Sequence, residues 1–175
     1  MTSPISLPYA ETLLDALLDS WRRSNLILVN LLRALPEADM DLRATDASPT
    51  VAQLFMHMHY CRMVFVHETA PEVGAVVPMG EWRGERDRER IVATLNESAD
   101  AVRDAVRGRL LAGLQMDQHY DHPVLLLQHF VWHEGYHHGQ IKVALKAVGR
   151  AFDDEEIGQV TWDVWMKKHT WAAPR

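Results

Sequence analysis

The stretch Phe130-Val131-Trp132-His133-Glu134-Gly135-Tyr136-His137-His138-Gly139-Gln140-Ile141 lies inside a longer apolar-periodic run from Pro123 to Val148. At about 100° per residue on a helix, His133 and His137 project from one face, one turn apart. They share that sector with Leu126, Phe130, Ile141, Ala144 and Val148. Two imidazoles are thereby aimed at an apolar interior, which is costly unless both are hydrogen-bonded or ligated. Pro123 suits the first turn of this helix and Gly149 its C-terminal stop. A helix with such a face needs other helices to cover it.

Three more are legible upstream. From Tyr9 to Leu35 the apolar residues Leu14, Leu18, Trp21, Leu28, Leu32 and Leu35 fall at threes and fours, interrupted by Asn25 and stopped by Pro36. A second helix is expected from Ser48-Pro49, a cap followed by a first-turn proline, with a stripe of Val51, Leu54, Met58, Cys61 and Phe65. A third runs from Asp87 to Leu114, with Ile91, Leu95, Val102, Val106 and Leu110 inward and the mixed charges Arg103, Asp104 and Arg107 outward. Residues 70–84, with Pro71, Pro78, Gly74, Gly80 and Gly84, read as a long loop, either a cover for the open end of a site or a plain connection. Asp153-Asp154-Glu155-Glu156 suits the first turn of a short fifth helix, and Trp162, Trp165 and Trp171 are expected to pack against the bundle. No segment alternates like a strand. The prediction is an all-α, single-domain four-helix bundle with helices at about 9–35, 48–69, 87–114 and 123–148 and a C-terminal extension over 150–175.

Composition narrows function. The chain has 175 residues, 47% hydrophobic and 24% charged, which fits one ordinary globular domain. A net charge of −6 argues against nucleic-acid binding, which needs a cationic excess. The single cysteine, Cys61, excludes a disulfide scaffold and a Cys-rich zinc site and suits a reducing compartment. No signal-peptide pattern or long apolar run is visible, so the expectation is a cytoplasmic protein with no membrane contact. Ten histidines are the unusual count.

His57, His59 and His67 on the second helix are candidates to complete a site with His133 and His137. His57 lies roughly 80° and His59 roughly 120° from the centre of the inward stripe, so His57 is the better third ligand. It also stands four before Cys61, which places a sulfur nearby without assigning it as a ligand. Three histidines leave a coordination position for water or substrate, the form expected of a catalytic ion. Because ligating imidazoles must be neutral, affinity is expected to fall below about pH 6. His119, His122, His129 and His169 read as surface or capping residues, with His129 also placed to support the pair. Trp132 and Tyr136 read as core or interface residues rather than the lining of an approach.

The His133-x-x-x-His137-x-Gly139-Gln140 motif, together with Thr50-Val51-Ala52-Gln53-Leu54-Phe55-Met56-His57, resembles the DinB/YfiT-like superfamily, and the order and lengths of the helices agree over roughly 9–150. The resemblance implies a divalent ion, zinc or nickel, held by three histidines that map onto His57, His133 and His137. It implies a homodimer acting on a small-molecule substrate, in some branches with a low-molecular-weight thiol, and in others a damage-inducible protein of undetermined activity. His138, where many relatives have arginine, and the neighbouring His59 depart from the pattern, so the third ligand stays open between His57 and His59.

Two rivals remain. His133-Glu134-Gly135-Tyr136-His137 also matches the His-Glu-x-x-His pattern of zinc peptidases, with Glu134 as base and Glu155 or Glu156 as third ligand. On the bundle reading Glu134 falls on the surface or supports the ligands from behind. The other rival is a non-catalytic helical association module.

Overall fold

A computed structural model describes residues 7–166, with side chains from Leu13 onward. His169 and Trp171 therefore lie outside the described residues. Four long helices, α1 (Leu7–Ala34), α2 (Val51–Thr69), α3 (Arg88–Leu111) and α4 (Pro123–Ala147), are followed by α5 (Asp154–Gly158) and α6 (Asp163–Met166). Two single 3₁₀ turns, Glu37–Asp41 and Pro71–Val73, complete the regular structure. No strand occurs among the described residues.

Side chains set most of these boundaries. Asp87 accepts from the amides of Glu89 and Arg90 to cap α3, and Asp153 does the same for Glu155 and Glu156 at α5. His122 caps α4 through Val124 N and is followed by Pro123, while Gly149 leaves the helix at φ +72°. Helix α2 starts later than Ser48-Pro49 implies. Its cap is Thr50, whose side chain accepts from Gln53 N while the Gln53 side chain accepts from Thr50 N. This reciprocal box satisfies two orphan donors, more than a serine before a proline could.

The core is two apolar clusters with a polar layer between them. One gathers Leu31, Leu32, Phe55, Met58, Ile91, Leu95, Ile141 and Leu145; the other gathers Trp21, Met63, Val66, Val102, Val106, Leu126 and Phe130. Along α1 and α4 the second cluster comes first in sequence, and along α2 and α3 it comes last. Thus α2 and α3 run in one direction and α1 and α4 in the other. Two parallel neighbours need a crossover as long as the bundle. That is the physical reason for the long 70–87 segment.

Between the clusters sits Arg62, fully buried on α2. Its Nε and Nη2 donate to Glu134 Oε1 and Oε2 on α4 at 2.5 and 2.9 Å. Nη1 donates to Asn25 Oδ1 on α1 at 2.9 Å and to the Leu95 carbonyl on α3 at 2.8 Å. The Trp21 ring lies 4.8 Å from the guanidinium carbon. One arginine thus ties all four helices together. Asn25, the polar break in the α1 stripe, is explained by it.

The C-terminal helices close over α1 and α4. Thr161 and Val164 are buried, whereas Trp162 and Trp165 are only partly covered and line a cavity with Ile27, Leu28 and Val131. A Cβ at Gly158 would stand 2.7 Å from the Trp162 ring, so this close approach requires glycine. Val148, expected on the inward face, is exposed because α4 ends one residue before it.

Candidate metal centre

The α4 helix brings His133 and His137 side by side, with Nε2 atoms 3.1 Å apart and ring centroids 4.5 Å apart. The His57 ring on α2 meets both, at 4.6 Å from His137 and 5.3 Å from His133. Three imidazoles from two helices therefore converge. His59, the competing candidate, stands outside this cluster, buried with its Nδ1 unpartnered. His67 lies apart as well, its Nδ1 against the Ala75 carbonyl.

Two outer partners fix which nitrogen of each ring carries the proton. His57 Nδ1 is 2.9 Å from Glu81 Oε1, and His137 Nδ1 is 2.8 Å from Gln140 Oε1. A carboxylate and an amide oxygen can only accept, so both Nδ1 atoms donate and both Nε2 atoms keep free lone pairs. Carboxylate or carbonyl support behind a histidine is the usual arrangement around a ligating imidazole. Gln140 Nε2 in turn donates to Tyr136 Oη at 3.0 Å, which holds the amide in this orientation. His133 Nδ1 is buried with no partner.

Residues 81–82 of the crossover cover the cluster. Trp82 stacks flat on His57, with centroids 4.2 Å apart and an interplanar angle of 0°. Gln53, already part of the α2 cap, donates to the Trp82 carbonyl at 3.1 Å and anchors the segment. Of the two readings of the 70–84 loop, the cover is the one observed.

Burial and neighbouring charge keep the rings neutral. His133 is pushed down to about 3 by burial and by the imidazoles and Arg62 around it. Burial lowers His57 against the pull of Glu81, and lowers His137 against its bond to Gln140. Lone pairs thus stay available well below the ordinary imidazole value of about 6.5.

The His133 and His137 pair is spaced for a small divalent ion. Two nitrogens at about 2.0–2.1 Å from a tetrahedral ion stand about 3.3 Å apart, close to the observed Nε2 pair. His57, Cys61 and His133 each offer one ligand atom, all within 4.8 Å of one another, so this group could hold a metal ion. Burial raises the Cys61 thiol to about 12, helped by Glu81 and Glu134.

The family model described as DinB family matches residues 10–162, which span most of α1, all of α2 to α5 and the site residues. The chain belongs to the DinB family. No curated protein and no solved structure matches it. Among the described residues of this DinB-family chain, no helix is long and apolar enough to cross a membrane.

Several expectations need correction. Glu134 is neither on the surface nor free to serve as a base: it is 3% exposed, and both its oxygens are held by Arg62. Glu155 and Glu156 are exposed on α5. The peptidase reading thereby lacks both its base and its third ligand. Of the two roles expected for Trp132 and Tyr136, exposures of 73% and 56% remove the core one and leave the interface one open; the two rings stack on each other. His129 is half-buried, accepting or donating at 2.6 Å with Tyr120 Oη, its ring 6.0 Å from His133.

Sequence reasoning passed over Glu81, Trp82 and Arg62. A glutamate and a tryptophan in a Pro/Gly-punctuated loop carry no periodic signal. Arg62 stands next to Cys61 in the α2 stripe, and its pairing with Glu134 across 72 positions has no local trace.

Proposed function

We propose that this DinB-family chain is a metal-dependent enzyme acting on a small molecule, with His57, His133 and His137 holding one divalent ion, zinc or nickel. The convergence of three imidazoles with two Nε2 lone pairs left free carries this reading. Such an ion supplies Lewis acidity toward an oxygen or sulfur of the substrate. The chain's own part is to hold three neutral nitrogens in register. Glu81 and Gln140 fix two of the rings from behind, and Trp82 shields the His57 face from water. Hydrolysis and transfer or isomerisation with a low-molecular-weight thiol are the reaction classes that suit this arrangement.

The protein is proposed to act as a homodimer. Leu125, Trp132, Tyr136 and Val143 follow one another at sevens and fours on the outer face of α4, all more than 40% exposed. Gly135 and Gly139 lie on the same stretch with open space where a Cβ would stand, so a second helix could approach closely. A dimer in light scattering that becomes monomeric in Trp132→Glu supports this; a wild-type monomer ends it.

Metal analysis of protein purified without a histidine tag tests the ion. One divalent ion per chain in the wild type, lost in His133→Ala with the helical signal retained, is the expected result. Wild-type protein that stays metal-free after dialysis against zinc or nickel would overturn the proposal.

A further inference from the structure

Cys61 stands one turn after His57 on the same face of α2, and its sulfur lies 3.6 Å from His57 Nε2 and 3.7 Å from Nδ1. The thiol can donate to the free Nε2 lone pair. It is a weak donor, and His57 Nδ1 is already engaged by Glu81. A shared ion requires a similar separation between Sγ and Nε2. A sulfur at about 2.3 Å and a nitrogen at about 2.0 Å from one tetrahedral ion stand about 3.5 Å apart. The sulfur also comes within 4.8 Å of the ligand atom of His133, on a different helix.

We propose that Cys61 is a further protein donor to the ion held by the histidines, a soft sulfur in a site otherwise made of imidazole. The proposal rests on the three-histidine reading above and adds to it. On ligation the S–H bond breaks, its proton passes to solvent, and the electron pair left on sulfur forms the bond to the cation; nothing is oxidised or reduced. A thiolate in the donor set selects zinc, nickel or cobalt over magnesium or manganese, whose preferred ligands are oxygens. It also places the sulfur where a three-histidine site would hold water, so a substrate must enter by displacing it or by raising the coordination number to five.

Cobalt(II) separates the two proposals, because its visible bands report binding and its near-ultraviolet charge-transfer band reports a thiolate ligand. The wild-type chain should take up one cobalt ion and show both. Cys61→Ser should keep the visible bands, lose the charge-transfer band and bind cobalt about tenfold or more weakly, at least as large a loss as for an outer-sphere partner. A wild-type complex with visible bands but no charge-transfer band would overturn the role of Cys61 and leave the histidine site standing. Absence of both would overturn the two together.

A second measurement needs no variant. Stoichiometric zinc should slow alkylation of Cys61 by iodoacetamide about tenfold or more, because a ligated sulfur is no longer a free nucleophile. The same concentration of magnesium should leave the rate unchanged. Equal rates with and without zinc, in protein shown to hold the ion, would also reject the assignment.

Discussion

Arg62 and Glu134 form a bidentate ion pair between α2 and α4 in which the arginine is fully buried and the glutamate is 3% exposed. Each residue stands one position from a residue of the candidate centre, Cys61 and His133. The pair therefore sets the register in which the two helices present their donors. Burial pushes the Glu134 carboxyl upward and the guanidinium opposes that push.

Glu134→Gln removes a charge from a buried pair and leaves Arg62 uncompensated. Breaking such a pair from one side costs about 3–5 kcal/mol. At roughly 2–4 °C per kcal/mol for a chain of this size, the melting temperature should fall by roughly 6–20 °C. Replacing both partners with apolar residues, as in Arg62→Met with Glu134→Leu, should recover much of the loss. Thermal melts of the single and double variants check this, and an unshifted Glu134→Gln would mean that the pair contributes nothing.

Legibility in the sequence followed locality. The four apolar stripes, the proline and glycine stops and the i, i+4 histidine pair are all encoded within a helical turn or two, and each could be read directly. The stripes also oriented His57 inward, and that ring is the one that meets His133 and His137. Whatever depends on the helices meeting was invisible. Arg62 looks like a solvated charge until Asn25, Leu95 and Glu134 surround it. Glu81 becomes relevant only because a crossover between parallel helices must return along α2.

The Thr50 box starts the helix that carries His57 and Cys61, and it uses both the side chain and the amide of each partner. Thr50→Ala should cost about 1 kcal/mol, with a ceiling near 2. The cost should appear as a lower denaturant midpoint with an unchanged slope, because the surface exposed on unfolding stays the same. Thr50→Ser should restore most of it. A midpoint unchanged in Thr50→Ala would show that Gln53 holds this terminus through its contact with Trp82 instead.

Protonation of the buried neutral histidines opposes the fold as pH falls below their ordinary value of about 6.5. Besides them, a carboxylate contribution to acid sensitivity should come from the cluster around Arg109. The Arg109 guanidinium bonds Glu72 at 2.6 and 2.7 Å and Asp117 at 2.6 Å. Hydrogen bonding to it holds both carboxyls below their ordinary values. A carboxyl with a depressed folded-state pKa stabilises the fold above its unfolded value, and that contribution disappears as pH falls through the folded one. The loss therefore begins near the ordinary carboxylate value of about 4 and continues below it. Both acids are largely exposed, which keeps the effect modest. Arg109→Met should flatten the stability profile in that window and hardly change the dependence between pH 5 and 8. An identical acid limb in variant and wild type would rule the cluster out as a contributor.

Glu81 offers the sharpest separation of site from scaffold. Its side chain is 40% exposed and its resolved role in the centre is the bond to His57 Nδ1. Removing it leaves the core packing untouched, so Glu81→Ala should shift stability by no more than about 0.5 kcal/mol. The effect on the proposed ion is different in kind. Without the carboxylate, His57 can place its proton on Nε2, and the Trp82 stack alone must hold the ring. Loss of such an outer partner weakens a metal site by about 10- to 100-fold. Glu81→Gln keeps an acceptor oxygen without the charge and should fall between the two. Competition against a zinc chelator at pH 7 measures all three proteins. Equal affinities would show that the glutamate is a bystander, and that the orientation of His57 is set by the aromatic stack.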